Sequence, residues 1–353
     1  MDDYTIMAKR IFRSELLKLD CEKEADRIGA LLREVVLRRF RKKGVIVAMS
    51  GGIDSSVVAA LSVRALGKDR VLGLLMPERD SAAETLSLSR GLAEHLGIRH
   101  AHEDITPILE AAGCYRRRDE AIRRVIPDYG PGCKSKIVLP PVADNERFRL
   151  FTVVAQHPDG RVTEALLDLE AYLGIVAATN FKQRTRKMLE YYHADRLNYA
   201  VAGTPNRLEY DQGFFVKLGD GAGDVKPIAH LYKTQVYRMA EFLGLPKAIC
   251  SRPPTTDTYS LPQSQEEFYF SLPYDKMDLV LFGKNNGYSP AEISQGVGLT
   301  PEQVDRVFRD IEGKRRVAQY LHAPPVLVEE IHSRPEKTFA AAQPAGSRAA
   351  RQN

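Results

Sequence analysis

Gly44-Val45-Ile46-Val47-Ala48-Met49-Ser50-Gly51-Gly52-Ile53-Asp54-Ser55-Ser56-Val57-Val58-Ala59-Ala60-Leu61 decides how this chain folds. The apolar run Val45–Met49 reads as a strand, the two glycines as a turn, and the stretch from Asp54 to Leu66 as a helix. A helix start leaves several backbone N–H groups unpaired and carries partial positive charge, so the junction is a ready anion site. Gly51 and Gly52 let the backbone approach a phosphate where a Cβ would obstruct. Ser50, Ser55 and Ser56 offer hydroxyls, and Asp54 is suited to hold a magnesium ion against the same phosphates. The alternative is an ordinary strand-to-helix turn in which Asp54 caps the helix.

No Lys follows the glycines, so this is not the GxxxxGK[ST] phosphate loop. It resembles instead the S-G-G-x-D-S loop of enzymes that cleave ATP to AMP and pyrophosphate. That likeness makes Ser50, Gly51, Gly52, Ile53, Asp54, Ser55 and Ser56 the expected ATP-binding loop.

Outward from this junction, strands are expected at Val45–Met49, Val71–Met76, His100–Glu103 and Tyr199–Gly203. Helices are expected at Asp54–Leu66, Ala82–Leu96, Lys182–Arg196, Lys233–Leu243, Pro290–Gly296 and Pro301–Tyr320, with two more between residues 3 and 42. Alternating strands and helices predict an α/β fold, a doubly wound parallel sheet with helical extensions at both ends. Ligands bind such sheets beyond the carboxyl ends of the strands, where the glycine loop falls. Residues 105–178 break the rhythm and read as an insertion on the scaffold. It carries a hairpin, Phe148–Val154 and Arg161–Thr163 about a turn at Pro158-Asp159-Gly160. One catalytic domain over residues 1–332 and a disordered tail over 333–353 are expected.

The 353 residues carry a net charge of +5, concentrated in two places. The tail from Ser333 holds +3 and Tyr115–Lys136 holds +4, which leaves the remainder at −2. A basic face for nucleic acid is therefore not indicated. The acidic start Met1-Asp2-Asp3-Tyr4 lacks signal-peptide order, and the longest apolar runs are too short for a bilayer, so a cytoplasmic location is expected. Cys21, Cys114, Cys133 and Cys250 form no CxxC pair and read as free thiols. His100 and His102 share a strand face but lack a third metal ligand nearby. Tyr191-Tyr192-His193 reads as helix packing.

A second constellation runs from Val201-Ala202-Gly203-Thr204 through Glu209 to Gly219-Asp220-Gly221 and Asp224. It places a hydroxyl, Thr204, and a carboxylate, Glu209, at the same sheet edge as the glycine loop. Asp54 and Glu209 from two solvent-facing loops are a candidate pair for one magnesium ion.

The two stretches together resemble the NAD synthetases, amide ligases that use ammonia or glutamine. That resemblance, over about residues 20 to 320, implies ATP contacts at Thr204, Lys233 and Thr255, and magnesium ligands at Asp54 and Glu209. It implies deamido-NAD contacts at Arg184, Lys217, Asp224 and Lys314. The implied reaction is ATP-dependent amidation of deamido-NAD through an acyl-adenylate, with ammonia as nitrogen donor and Mg2+ as cofactor; no side-chain nucleophile is required. Where the family commonly carries a His-Lys pair near its C-terminus, this chain has Gly313-Lys314. The insertion is also longer than the family's. Only about 40 residues precede the first strand, too few for a glutaminase, so ammonia is expected free or from a separate glutaminase. A homodimer is implied, with mixed apolar faces around Leu189–Arg196 and Met239–Leu243 as candidate contacts. Two other readings stay open. One is a pyrophosphate-loop ligase that amidates or thiolates another nucleotide, tRNA or sugar; the other is a non-catalytic nucleotide-binding regulator. The basic stretch in the insertion suggests a mobile flap that brings Arg116, Arg117, Arg118 and Lys134 to the substrate phosphates, against a solvated basic loop or dimer arm.

Overall fold

Val45–Ala48 forms β1, and Ile53–Leu66, directly after the glycine turn, forms α2; α1 (Cys21–Leu32) precedes both. The computed structural model describes residues 12–139, 151–253, 258–263, 269–270 and 272–329. Chain contacts group Met1–His322 as one compact unit and Ala323–Asn353 as another. In the second unit only residues 323–329 are described, and they form no helix or strand. The expected tail, 333–353, lies outside the described residues.

β2 (Val71–Leu75), β3 (Arg99–His102) and a late strand, Ala200–Ala202, complete a parallel sheet with β1. Three strands of the insertion come first in the chain, so the late strand is β7, and the sheet order is β3-β2-β1-β7. The chain moves outward from β1 to β3 and then returns to the other side of β1. The crevice between the carboxyl ends of β1 and β7 is therefore the topological switch point.

Val45, Ile46 and Val47 are all buried, because both faces of the sheet are covered. Val45 and Val47 face the cluster built from α1, α2, α3 (Ala83–His95) and the later helix α8 (Lys233–Phe242). Ile46 faces the other way, toward α4 (Thr106–Ala111), α5 (Cys114–Arg123) and α6 (Leu169–Leu197). The doubly wound expectation holds. After β7 come α7 (Arg207–Gln212), then α8 and the short α9 (Lys247–Cys250). The last three helices are α10 (Tyr274–Asn285), α11 (Pro290–Val297) and α12 (Pro301–His322). They bury Val280, Ile293 and Val307 together with Phe12 and Leu17 from the N-terminal segment.

The insertion differs from its expected form. The expected hairpin is present as β5 (Thr152–Gln156) and β6 (Val162–Leu166), residues 148–150 lying outside the described residues, but a third antiparallel strand, β4 (Lys134–Val138), extends it into a sheet of order β4-β5-β6. Its last ten residues are the first turns of α6, which Asp168 starts by accepting from the Ala171 N–H at 2.7 Å. The flap reading is corrected too. Arg116, Arg117 and Arg118 lie on α5, which packs along α6, and Arg118 is 3% exposed in contact with Asp80 and Asp119. Lys134 begins β4. Packing of α5 along α6 and the burial of Arg118 anchor this stretch, while Arg116 and Arg117 stay exposed on the helix.

Candidate active site

The glycine loop is shaped by its own hydroxyls. Gly51 has φ +67°, and a Cβ there would sit 3.0 Å from Leu88 Cβ and 3.1 Å from the Thr85 carbonyl, so glycine is required twice over. Ser55 Oγ donates to the Gly52 carbonyl at 3.0 Å and accepts the Ser50 N–H at 3.3 Å. Ser56 Oγ donates to the same carbonyl at 2.8 Å. These bonds hold the turn tight at the start of α2.

Asp54, in the first turn of α2, meets residues from two other elements. Its Oδ1 accepts from Asn206 Nδ2 at 3.0 Å, and its Oδ2 pairs with the Lys233 ammonium. Asn206 is the cap of α7: its side chain accepts the Glu209 N–H, and Glu209 Oε2 accepts the Asn206 N–H at 3.0 Å. Asn206-Arg207-Leu208-Glu209 is therefore a capping box. The expectation that both carboxylates sit on solvent-facing loops is corrected: each is in the first turn of a helix, and Glu209 is buried.

Burial, then the nearby Asp54 carboxylate, push Glu209 up to about 8. Lys233 is 1% exposed at the first position of α8. Burial disfavours its charge, yet Asp54 and Glu209 outweigh that cost and hold its pKa above the usual lysine value. Asp278, on α10 and fully buried, accepts the backbone N–H groups of Lys233 at 3.2 Å and Thr234 at 2.7 Å. It thereby caps α8 from outside and fixes where Lys233 points. Burial raises Asp278 to about 6.

Asp54, Glu209 and Lys233 open on one cavity of about 400 Å³ at the switch point. Ser50, Gly52, Ile53, Asp54 and Ser55 line it from β1 and α2; Thr204, Glu209 and Lys233 line it from β7 and beyond. Arg186, Lys187 and Arg252 add cationic lining that sequence reasoning had not singled out. Arg252 Nη2 donates to Thr85 Oγ1 at 3.3 Å beside Gly51. Lys187 pairs with buried Glu190 at 2.6 Å. Asn206 was also missed, although its N-x-x-E spacing to Glu209 is a readable capping signal.

The remaining expected residues do not line this cavity. Arg184 is exposed and its Nε donates to the Lys217 carbonyl at 3.3 Å. Lys217 Nζ donates to the Tyr320 carbonyl at 2.7 Å, with the ammonium 4.1 Å from the Tyr320 ring. Asp224 accepts the Val201 N–H at 2.7 Å and the Tyr191 hydroxyl at 3.2 Å. Lys314 pairs with Asp310 at 2.7 Å and donates to the Tyr269 carbonyl at 2.6 Å. Their neighbours Gln183, Val216 and Tyr269 do line the cavity. Thr255 lies outside the described residues. Tyr192 is 60% exposed, so it is not the packing residue expected, whereas buried His193 contacts Glu103 at 3.0 Å. All four cysteines are free thiols. No group of three or more His, Cys, Asp or Glu side chains suited to a metal occurs among the described residues.

The NAD synthase family model matches residues 24–124 and 160–318. The chain belongs to the NAD synthase family. An "NH(3)-dependent NAD(+) synthetase" of Mesorhizobium japonicum is 59% identical over 316 residues, 90% of this chain and 99% of that protein. A protein of the same name from Thermotoga maritima is 36% identical over 278 residues, 78% of this chain and 90% of its own length. Among solved structures, an NMN synthetase from Francisella tularensis aligns with TM-score 0.62 at 20% identity, covering 88% of this chain and 99% of that one. An NH3-dependent NAD synthetase from Campylobacter jejuni aligns with TM-score 0.58 at 22% identity, covering 88% of this chain and all of that one. At those identities the solved structures bear on the fold alone. This NAD synthase family chain carries its glycine loop at the end of β1, and no helix among its described residues is long and apolar enough to cross a membrane.

Proposed function

We propose that the chain joins ammonia to the nicotinate carboxylate of deamido-NAD at the expense of ATP, releasing AMP and pyrophosphate. The observation that carries this reading is the Asp54–Lys233–Glu209 constellation beside the glycine loop, inside the family that its relatives share. Phosphate charge is met by the α2 N-terminus, by Lys233, and by the cationic wall of Arg186, Lys187 and Arg252. Thr204, and Thr255 by resemblance, contribute hydroxyls to ATP. Arg184, Lys217, Asp224 and Lys314 serve the dinucleotide outside the cavity wall.

Mg2+ fits the site on its donor set: Asp54 and Glu209 offer oxygen ligands, and buried Glu209 sits close enough to Asp54 for their charges to repel. Asp54 and Glu209 would hold the ion, which supplies positive charge to the polyphosphate. The carboxylate attacks the α-phosphorus, pyrophosphate departs with its bond electrons, and ammonia then displaces AMP from the acyl carbon and loses one proton to solvent. The protein's part is positioning and preorganised charge, with no side-chain nucleophile. Ammonia is the nitrogen donor, and the working location is the cytoplasm.

A homodimer built on α6 belongs to the same reading. Leu173, Met188 and Tyr192 are exposed large apolar side chains along this 29-residue helix. In the other candidate segment, Met239–Leu243, Met239 is buried in the core while Phe242 is 41% exposed. Coupled measurement of AMP and NAD with ATP, deamido-NAD and ammonium chloride tests the proposal. One AMP per NAD supports it; ADP and phosphate as products, or no amide, overturn it.

A further inference from the structure

The family pattern passes over residues 125–159. Those residues nevertheless supply β4, β5 and Phe151, and Phe151 lines the same cavity as the glycine loop. Tyr172 and Val176 from α6, and Tyr259, line it too, and Phe151, Tyr172 and Tyr259 belong to one apolar cluster. The Phe151 and Tyr172 rings stack with centroids 4.3 Å apart and planes at 16°.

Two anchors hold the segment that carries Tyr259. On one side is β4, the edge strand of the inserted sheet. Its Ser135 N–H donates to Ser260 Oγ at 2.8 Å, and its Ser135 carbonyl accepts the Leu261 N–H at 3.2 Å. On the other side Lys182 Nζ donates to the Thr258 carbonyl at 2.8 Å. Lys182 is itself 1% exposed and fixed by Glu78 at 2.9 Å and Asp80 at 2.8 Å. A buried lysine with two carboxylates has little freedom to move, so the Thr258–Leu261 backbone is set before any ligand arrives. An aromatic wall of fixed geometry suits a flat heteroaromatic ring, because stacking rewards a rigid π-face and little ordering is left to occur on binding.

We propose that Phe151, stacked on Tyr172, forms with Tyr259 a ring-binding compartment that determines which heteroaromatic base the cavity accepts. Two sources fit that chemistry: the pyridine ring of the dinucleotide and the adenine ring. The compartment rests on the ligase reading above for its substrates, and it assigns the inserted sheet a task in specificity.

The test is Phe151→Ala, with Phe151→Tyr as the conservative control. KM for deamido-NAD and for ATP is measured separately, together with kcat and the melting temperature. The compartment predicts a rise of roughly tenfold in one KM, the loss expected for one stacked base, with the other KM, kcat and melting temperature within narrow limits. Phe151→Tyr restores the affected KM. A rise for ATP identifies adenine. A rise for deamido-NAD, with weaker competition by nicotinic acid mononucleotide, identifies the pyridine ring, because that compound has no adenine. A rise for deamido-NAD with unchanged competition identifies its adenine. Two unchanged KM values overturn the proposal, as does a joint loss of kcat, both affinities and melting temperature, which marks packing alone. Calorimetric binding of each nucleotide to wild type and Phe151→Ala reads the compartment without turnover, so failure of the ligase reading and failure of the compartment remain distinguishable.

Discussion

Lys233 and Asp54 form an ion pair between the first turn of α8 and the first turn of α2, with Lys233 almost wholly enclosed. Lys233→Met leaves Asp54 facing Glu209 without the cation that offsets their repulsion. Removing one member of a buried pair costs on the order of 3 kcal/mol. The double variant Asp54→Asn/Lys233→Met loses less than the sum of the two single losses, because it removes both charges. Urea unfolding of the four proteins measures this; strict additivity would contradict the coupling.

Glu209→Gln and Glu209→Ala separate charge from capping. Both variants drop turnover by roughly a hundredfold or more, the scale for loss of an electrostatic group at a reacting phosphate. Glu209→Ala further forfeits the capping box with Asn206, costing about 1 kcal/mol of stability, whereas Glu209→Gln keeps an acceptor for the Asn206 N–H. Activity assays beside thermal melts check both halves. Near-normal turnover in either variant contradicts the role.

In the insertion, neighbours in sequence have opposite fates. Arg116 is exposed and, among the described residues, pairs with exposed Glu120, so Arg116→Ala shifts stability by less than about 0.5 kcal/mol. Arg118 is buried against Asp80, which also holds Lys182, so Arg118→Met costs about 3 kcal/mol. Equal effects in denaturant melts would contradict the placement of α5.

Asp278 carries a pH signature. Its folded pKa lies near 6, raised by burial from an unfolded value of 3.8. Below the unfolded value both states are protonated and nothing is lost. As pH rises toward 6 and past it the unfolded chain ionises more readily, so this group's contribution to stability falls. Asp278→Asn therefore gains on wild type between pH 4 and 6, and the gap is flat above about 7. Melting temperatures across that range measure it, and a gap independent of pH contradicts a raised Asp278.

The β1–loop–α2 unit was legible because an apolar run, paired glycines and an apolar helix are punctuated within eighteen residues. β4 was not, because Lys134-Ser135-Lys136 reads as part of a basic stretch, although Ser135 and Ile137 face inward and the lysines outward. The start of α6 was lost for a different reason: Asp168 caps a helix whose first turns pack under the inserted sheet, a tertiary contact. At the site, Asp54 and Glu209 were legible as a pair of carboxylates, and Lys233 only through the family resemblance. Their burial, and the support of Asp278 from a helix 45 residues beyond Lys233, follow only from packing.

The central claim is attack by the nicotinate carboxylate on the α-phosphate of ATP. Deamido-NAD labelled with heavy oxygen in its carboxylate, turned over with ammonium and ATP, tests it most directly by mass spectrometry of the products. The account predicts one labelled oxygen in AMP and none in pyrophosphate. Label in pyrophosphate or inorganic phosphate, with unlabelled AMP, would contradict it.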